Sequence, residues 1–276
     1  MSAVPDDLSV PKPRFTRYHR PMMITSLLII AVFLLFPPVT VLDKTHAVGY
    51  AICHQIPSRT FHIDGTPLPL CARCTGIYLG ALMGIVGLSL SGRRRSIGLP
   101  ATPVLLILIG FTGLMGIDGI NSYLTLFPGA PHLYEPQNWL RLTTGVFHGF
   151  AMSAIVFPVI IGSLWHPSLT REEPVLRNLK DLLPFLVGGV MIVLIVVWQH
   201  PLLLYPLAVL STLGIMLMLT IVNTMFVLII TRREGYAHVW GDIVLPVTMG
   251  LAVSFLMIGG MDWLRASLTR AAGIPF

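Results

Sequence analysis

Met22–Leu42, MMITSLLIIAVFLLFPPVTVL, runs for 21 residues without a charged side chain. A helix needs about 20 apolar residues to cross the hydrocarbon core of a bilayer, so this stretch reads as a membrane span. Its length, its Pro37-Pro38 pair and the lack of a small-x-small cleavage site after it favour a retained helix over a cleaved signal peptide. Ahead of it, residues 1–21 form a basic tail with Lys12, Arg14, Arg17 and Arg20, expected on the cytoplasmic side.

The rest of the chain repeats the pattern. Apolar runs cover about Cys71–Leu90, Ala101–Ile120, Trp139–Leu164, Leu182–Trp198, Leu203–Ile230 and Ile243–Met261. Over all 276 residues 54% are hydrophobic and 11% charged, with a mean hydropathy of +0.80. A soluble domain carries roughly 25% charged residues. The expected fold is therefore an all-α polytopic bundle of about seven transmembrane helices, with residues 22–276 forming one membrane domain. Gln199-His200-Pro201 predicts a tight hairpin, because proline discourages helix continuation.

Net charge is +6, but the basic residues sit in short clusters beside the spans. No basic patch interleaved with aromatics lies in a polar segment, which argues against nucleic-acid binding and for the lipid bilayer as the partner. Of the 18 Lys and Arg, twelve fall in the tail, the 93–95 turn, the 166–181 loop and the 232–233 turn. That excess belongs in the cytoplasm and predicts N-in, C-out. The segment holding the cysteines, with Asp118, Arg141 and His200, then lies at the extracytoplasmic face. Gly76, Gly80 and Gly84 make a small-xxx-small stripe on which another helix, of this chain or of a second copy, can approach closely.

All three cysteines lie in Cys53–Gly80, CHQIPSRTFHIDGTPLPLCARCTGIYLG. Cys71-Ala-Arg-Cys74 stands at the start of a helix, where backbone N–H groups and Arg73 favour thiolates. Cys53, Cys71 and Cys74 with His54 or His62 would make a Cys3His set, an ordinary ligand set for zinc or a similar divalent transition metal. A disulfide from Cys53 to Cys71 or Cys74 remains open beside the metal. Asp118 and Arg141 bracket a loop and are placed to pair next to the thiols, as candidate catalytic residues. Thr144, Gly145 and His148 continue one helical face from Arg141. Asn223, Asp242 and Asp262 read as interfacial or packing residues, and Met216, Met218 and Met225 as packing residues. Phosphate-binding glycine loops, H-E-x-x-H and nucleophile elbows are absent, so ATP-driven transport and serine hydrolysis have no support.

At Cys53-His54-Gln55, Arg59-Thr60-Phe61 and Pro69 to Gly80, with Asp118-Gly119 and Arg141 to Gly145 further on, the chain resembles a family of prokaryotic integral membrane proteins known only as a domain of unknown function. The likeness spans about residues 45–150. It implies a prokaryotic plasma-membrane protein and carries no reaction. The C-x-x-C at a helix end is also similar to that of vitamin K epoxide reductase-like and disulfide-forming membrane proteins. Those relays use a second cysteine pair, and here only Cys53 remains. The expected function is a metal-binding membrane protein, extending to a metalloenzyme whose ion activates water or polarises a lipid-headgroup oxygen. A thiol–disulfide oxidoreductase and a small-solute or ion transporter are the alternatives.

Overall fold

The computed structural model describes residues 19–36, 40–127 and 129–272. Eight helices order the described chain: α1 His19–Leu35, α2 Val41–Ile52, α3 Ala72–Leu90, α4 Thr102–Leu124, α5 Asn138–Leu164, α6 Leu179–Trp198, α7 Leu204–Thr231 and α8 Trp240–Ala272. Six of them, α3 to α8, are long and apolar enough to cross a membrane, and α1 is a shorter apolar helix. The chain is thus an all-α, multi-pass helix bundle.

The opening stretch does not form one continuous span. Helix α1 already includes His19 and Arg20 and stops at Leu35, and α2 starts at Val41. Pro37-Pro38 lies outside the described residues, as do Lys12, Arg14 and Arg17 of the tail. The reason for the break is chemical: a residue before proline disfavours the helical region, and Thr40 is a ready N-cap whose hydroxyl accepts from the Asp43 N–H at 3.2 Å. Lys44 then donates to the orphan carbonyls of Phe33 and Phe36 at 3.1 and 2.8 Å, closing the end of α1. The polar segment after the first apolar run therefore begins as helix, α2, rather than as loop.

Helices α3 and α5 form the centre. A Cβ at Gly80 would stand 2.0 Å from the Val146 carbonyl oxygen, and one at Gly149 would stand 1.9 Å from that of Ile77. Two glycine-lined faces thus press backbone to backbone, the geometry in which membrane helices gain most packing. The Gly76/Gly80/Gly84 face is filled by α5 of the same chain, since Gly76 and Gly84 likewise meet Leu142 and Ser153. It is not free to receive a second copy.

Around that pair, α6 stacks Phe185 on Phe150 with ring centroids 4.5 Å apart. Between α7 and α8, the buried Asn223 amide donates to Ser254 Oγ at 2.9 Å, so Asn223 is a packing residue. Met218 is buried and Met216 and Met225 are partly so. Gln199 takes a left-handed conformation to end α6, and the His200 ring accepts from the Leu202 N–H, giving the tight α6–α7 turn.

One end of the bundle carries the cysteines. At the opposite end β3 (Ser96–Gly98) pairs in parallel with β4 (Arg171–Pro174), tying two interhelical loops together. A two-residue hairpin, β1 (His62–Ile63) with β2 (Thr66–Pro67), belongs to the cysteine end.

Candidate metal centre

Three backbone positions place the thiols. Cys53 caps the C-terminus of α2, its N–H donating to Gly49 O at 2.8 Å. Cys71 is the N-cap of α3, and Cys74 follows in the first turn. The 17 residues between Cys53 and Cys71 must fold back, and their sequence shows how. Asp64 and Gly65 both have positive φ, 51° and 74°, as the tight turn between β1 and β2 requires. Gln55 is held at φ 50°, which costs a non-glycine residue about 1–2 kcal/mol. Its amide repays this by donating to His46 O at 3.0 Å and Pro69 O at 2.8 Å, two bonds of about 1 kcal/mol each. The approach needs a glycine at 49, where a Cβ would stand 2.2 Å from Pro69 O.

The result is that the Sγ atoms of Cys53, Cys71 and Cys74 all lie within 4.8 Å of one another. All three are free thiols, and the Cys71 N–H donates to Cys53 Sγ at 3.3 Å. Bonds from the Cys71 and Cys74 thiols hold the Cys53 thiol far below the usual range, against the opposing effect of burial. In the same exchange Cys71 is pushed up, chiefly by its bond to Cys53. A tetrahedral zinc with Zn–S bonds of about 2.3 Å places its sulfurs roughly 3.8 Å apart. Three soft donors at this spacing fit such an ion.

The floor beneath them is apolar: Val48, Leu70, Ile215 and Ile258 are buried against Cys53. Ile215 and Ile258 come from α7 and α8, helices whose part in the site the sequence left unassigned. Arg265 of α8 also reaches over, donating to the carbonyls of Tyr50 and Cys53, the latter at 2.9 Å. Its guanidinium lies 4.0 Å from the Tyr50 ring centroid.

Beside the thiols the charges are paired differently from the sequence expectation. Asp118, 1% exposed near the end of α4, makes its ion pair with Arg73, not with Arg141. Arg73 stands between Cys71 and Cys74, so the first turn of α3 supplies both thiol and cation. Arg141 instead donates from Nε to Ser122 Oγ at 3.2 Å and from Nη1 to Asn138 Oδ1 at 2.8 Å. Ser122 is the hub: its Oγ also accepts from Arg73 at 3.1 Å and its carbonyl from Arg59 at 2.9 Å. Tyr134 donates to Asp118 Oδ1 at 2.9 Å, held there because Asn121 bonds the backbone of Leu133 and Tyr134. Burial, then Asp118, pushes the Tyr134 phenol up, which keeps it a donor.

A cavity of about 300 Å³ opens over this group, lined by all three cysteines and by Arg59, Arg73 and Arg141. His54 lines it too, whereas His62 is exposed on β1; neither ring joins the three-sulfur group. Among the described residues the trio has no fourth protein ligand at that spacing. His148 turns from the α3 contact to α4, its Nδ1 lying 3.2 Å from Thr112 Oγ1, while Gly145 packs on the Arg73 carbonyl. The stripe from Arg141 is thus divided between two helix contacts. Asp242 accepts from the N–H groups of His238 and Val239 at the start of α8.

Sequence reasoning missed Arg59, Ser122 and Tyr134. Arg59 had a signal, since it lies in the Arg59-Thr60-Phe61 block of the resemblance. Ser122 and Tyr134 had none, being ordinary residues made important by where α4 ends.

Residues 53–155 match the model of the family described as predicted membrane protein, DUF2085. An uncharacterized protein of Methanocaldococcus jannaschii is 31% identical over 120 residues, which are 44% of this chain and 70% of that one. Another, from Methanothermobacter thermautotrophicus, is 38% identical over 84 residues, 29% of this chain and 76% of that one. No solved structure matches. The matched segment runs from Cys53 into α5 and contains all three cysteines and all three arginines that line the cavity. The chain belongs to this family of predicted membrane proteins.

Proposed function

We propose that this member of the DUF2085 family holds one zinc-like divalent ion on Cys53, Cys71 and Cys74, as a metal-dependent site at the extracytoplasmic face of the membrane. The observation that carries the reading is the convergence of three sulfurs within 4.8 Å on the wall of a cavity. Structural zinc sites are closed by four protein ligands, whereas catalytic ones keep a position open. Three thiolates facing a cavity match the second pattern. Such an ion supplies Lewis acidity or an activated water. The chain's own residues shape the space around it: Arg73 and Asp118 brace each other beside the thiols, and Arg141 and Arg59 present cations from two further directions. His54 stands on the same wall.

Metal analysis of protein purified without chelator tests this, together with a thiol count. About one ion per chain is expected, lost in Cys53→Ser and in Cys71→Ser. Metal-free protein with Cys53 disulfide-bonded to Cys71 or Cys74 would replace the reading with a thiol–disulfide one. For sidedness, an impermeant thiol reagent should reach a cysteine introduced at Leu133 from outside the cell, on a background without the native three, and should not reach one at Ser96.

A further inference from the structure

The cavity has two unlike walls. One is cationic. Arg59, Arg73 and Arg141 face it, and Asp118 is the one carboxylate bonded to any of them among the described residues. Each guanidinium also keeps donor capacity. Arg59 uses only Nη2, Arg73 only Nη2, and Arg141 only Nε and Nη1. Arg73 Nε is buried and has no hydrogen-bond partner. A buried N–H left this way costs about 1–3 kcal/mol. A zinc ion on three thiolates has a net charge of −1, so with Asp118 it offsets two of the three guanidiniums. One positive charge is left for a ligand, together with a fork geometry suited to tetrahedral or planar oxyanions.

The other wall is apolar and leads to lipid. Ile52, Ile56, Tyr123 and Leu126 line the mouth, and Tyr123 and Leu126 are more than half exposed. They continue the outward face of α4, the least buried of the six long helices, through Leu106, Ile109, Ile117 and Ile120. An amphiphile can thus keep its chains in the bilayer while its headgroup reaches the arginines.

We infer that the cavity binds the phosphate group of a membrane lipid, with Arg59, Arg73 and Arg141 as its ligands and Tyr123 and Leu126 against its chains. This deepens the metal-site reading by naming a substrate class and rests on it for the ligand's place beside the ion. The binding itself comes from the arginines.

The test is calorimetric titration of detergent-purified protein, as isolated and after chelation, with three probes: dihexanoyl phosphatidic acid, dihexanoylglycerol and inorganic phosphate. Phosphatidic acid should bind at least about tenfold more tightly than either other probe, and Arg59→Gln should weaken it about tenfold or more. Arg59 bonds only one carbonyl, so its loss should leave the thermal melt near wild type; Leu126→Ala should weaken the lipid and not inorganic phosphate. Equal affinity for phosphatidic acid and dihexanoylglycerol overturns the inference with no variant needed. Equal affinity for phosphatidic acid and inorganic phosphate makes the ligand a free phosphate and overturns the lipid assignment. Metal content of the same samples separates the two ideas. Lipid bound with no metal defeats only the metal centre, and metal present with charge-blind binding defeats only the lipid site.

Discussion

Arginines gather at both ends of the bundle, and the two groups are used differently. At the end away from the cysteines, Arg93 gives two of its nitrogens to the two oxygens of Asp181, and Arg177 pairs with Glu173. Arg95 lies flat on Trp165, its guanidinium carbon 3.3 Å from the ring centroid, with Trp240 beyond at 5.6 Å. Arg93, Arg95 and Arg177 there each have a carboxylate or an aromatic face. At the cysteine end three guanidiniums share one carboxylate and one serine around an open space. The first group ties loops and aromatic rings together, whereas the second surrounds an open space. Basic residues counted along a sequence describe orientation; only their partners tell scaffold from site.

The strongest way to break this contrast is through metal. Cys71→Ser should take bound metal from about one ion per chain to near none, while Arg95→Leu should leave it unchanged. Atomic-emission analysis of both variants decides it, and equal metal in the two would erase the distinction.

The next effect concerns stability. Asp118→Ala strands Arg73 beside a buried gap and should cost about 3–5 kcal/mol. Arg93→Ala, at a pair that is about a quarter exposed on each side, should cost about 1 kcal/mol. A double-mutant cycle in thermal melts should return a coupling of about 1–3 kcal/mol for Arg73 with Asp118 and a smaller one for Arg141 with Asp118. The opposite ranking would restore the pairing expected from sequence.

A packing variant sharpens the comparison by separating scaffold from site. Gly80→Ala would drive a methyl into Val146 and should cost about 1–3 kcal/mol. Gly110→Ala on α4 meets nothing within 4 Å and should be near neutral or slightly stabilising. Similar melts for the two would mean that α3 and α5 are not in backbone contact.

The smallest expected effect is that of Tyr134→Phe, which removes one bond to Asp118 and should lower stability by about 1 kcal/mol with metal content intact. Tyr123→Phe, whose hydroxyl makes no hydrogen bond among the described residues, is the matched control.

Much of the architecture was readable because its cause is local. Long uncharged runs, arginine turns and Gln199-His200-Pro201 each act through nearby residues, and the six long helices agree with them to within a few residues, α8 excepted. Helix α8 runs on to Ala272 because nothing after Met261 breaks it, although Asp262 and Arg265 lower its apolarity. The three cysteines were also readable as a group, since Cys71 and Cys74 must share the start of one helix. The partner of Asp118 was not. Choosing Arg73 over Arg141 depends on how α3 is rotated against α4, and that rotation is set by the glycine faces of α3 and α5. The same holds for Ser122, whose role comes from three arginines arriving from different segments. The break between Leu35 and Val41 had its signal in Pro37-Pro38, outweighed there by the uncharged run around it.

Arg265 also bears on timing. It grips the carbonyl of Cys53 from 212 residues further along the chain. During synthesis the thiols leave the ribosome early, with α2 and α3, whereas their clamp arrives with the last helix. A nascent chain therefore carries all three sulfurs before the backbone of one of them is fastened by Arg265. A chain stopped ahead of Arg265 would carry every thiol and lack that fastening.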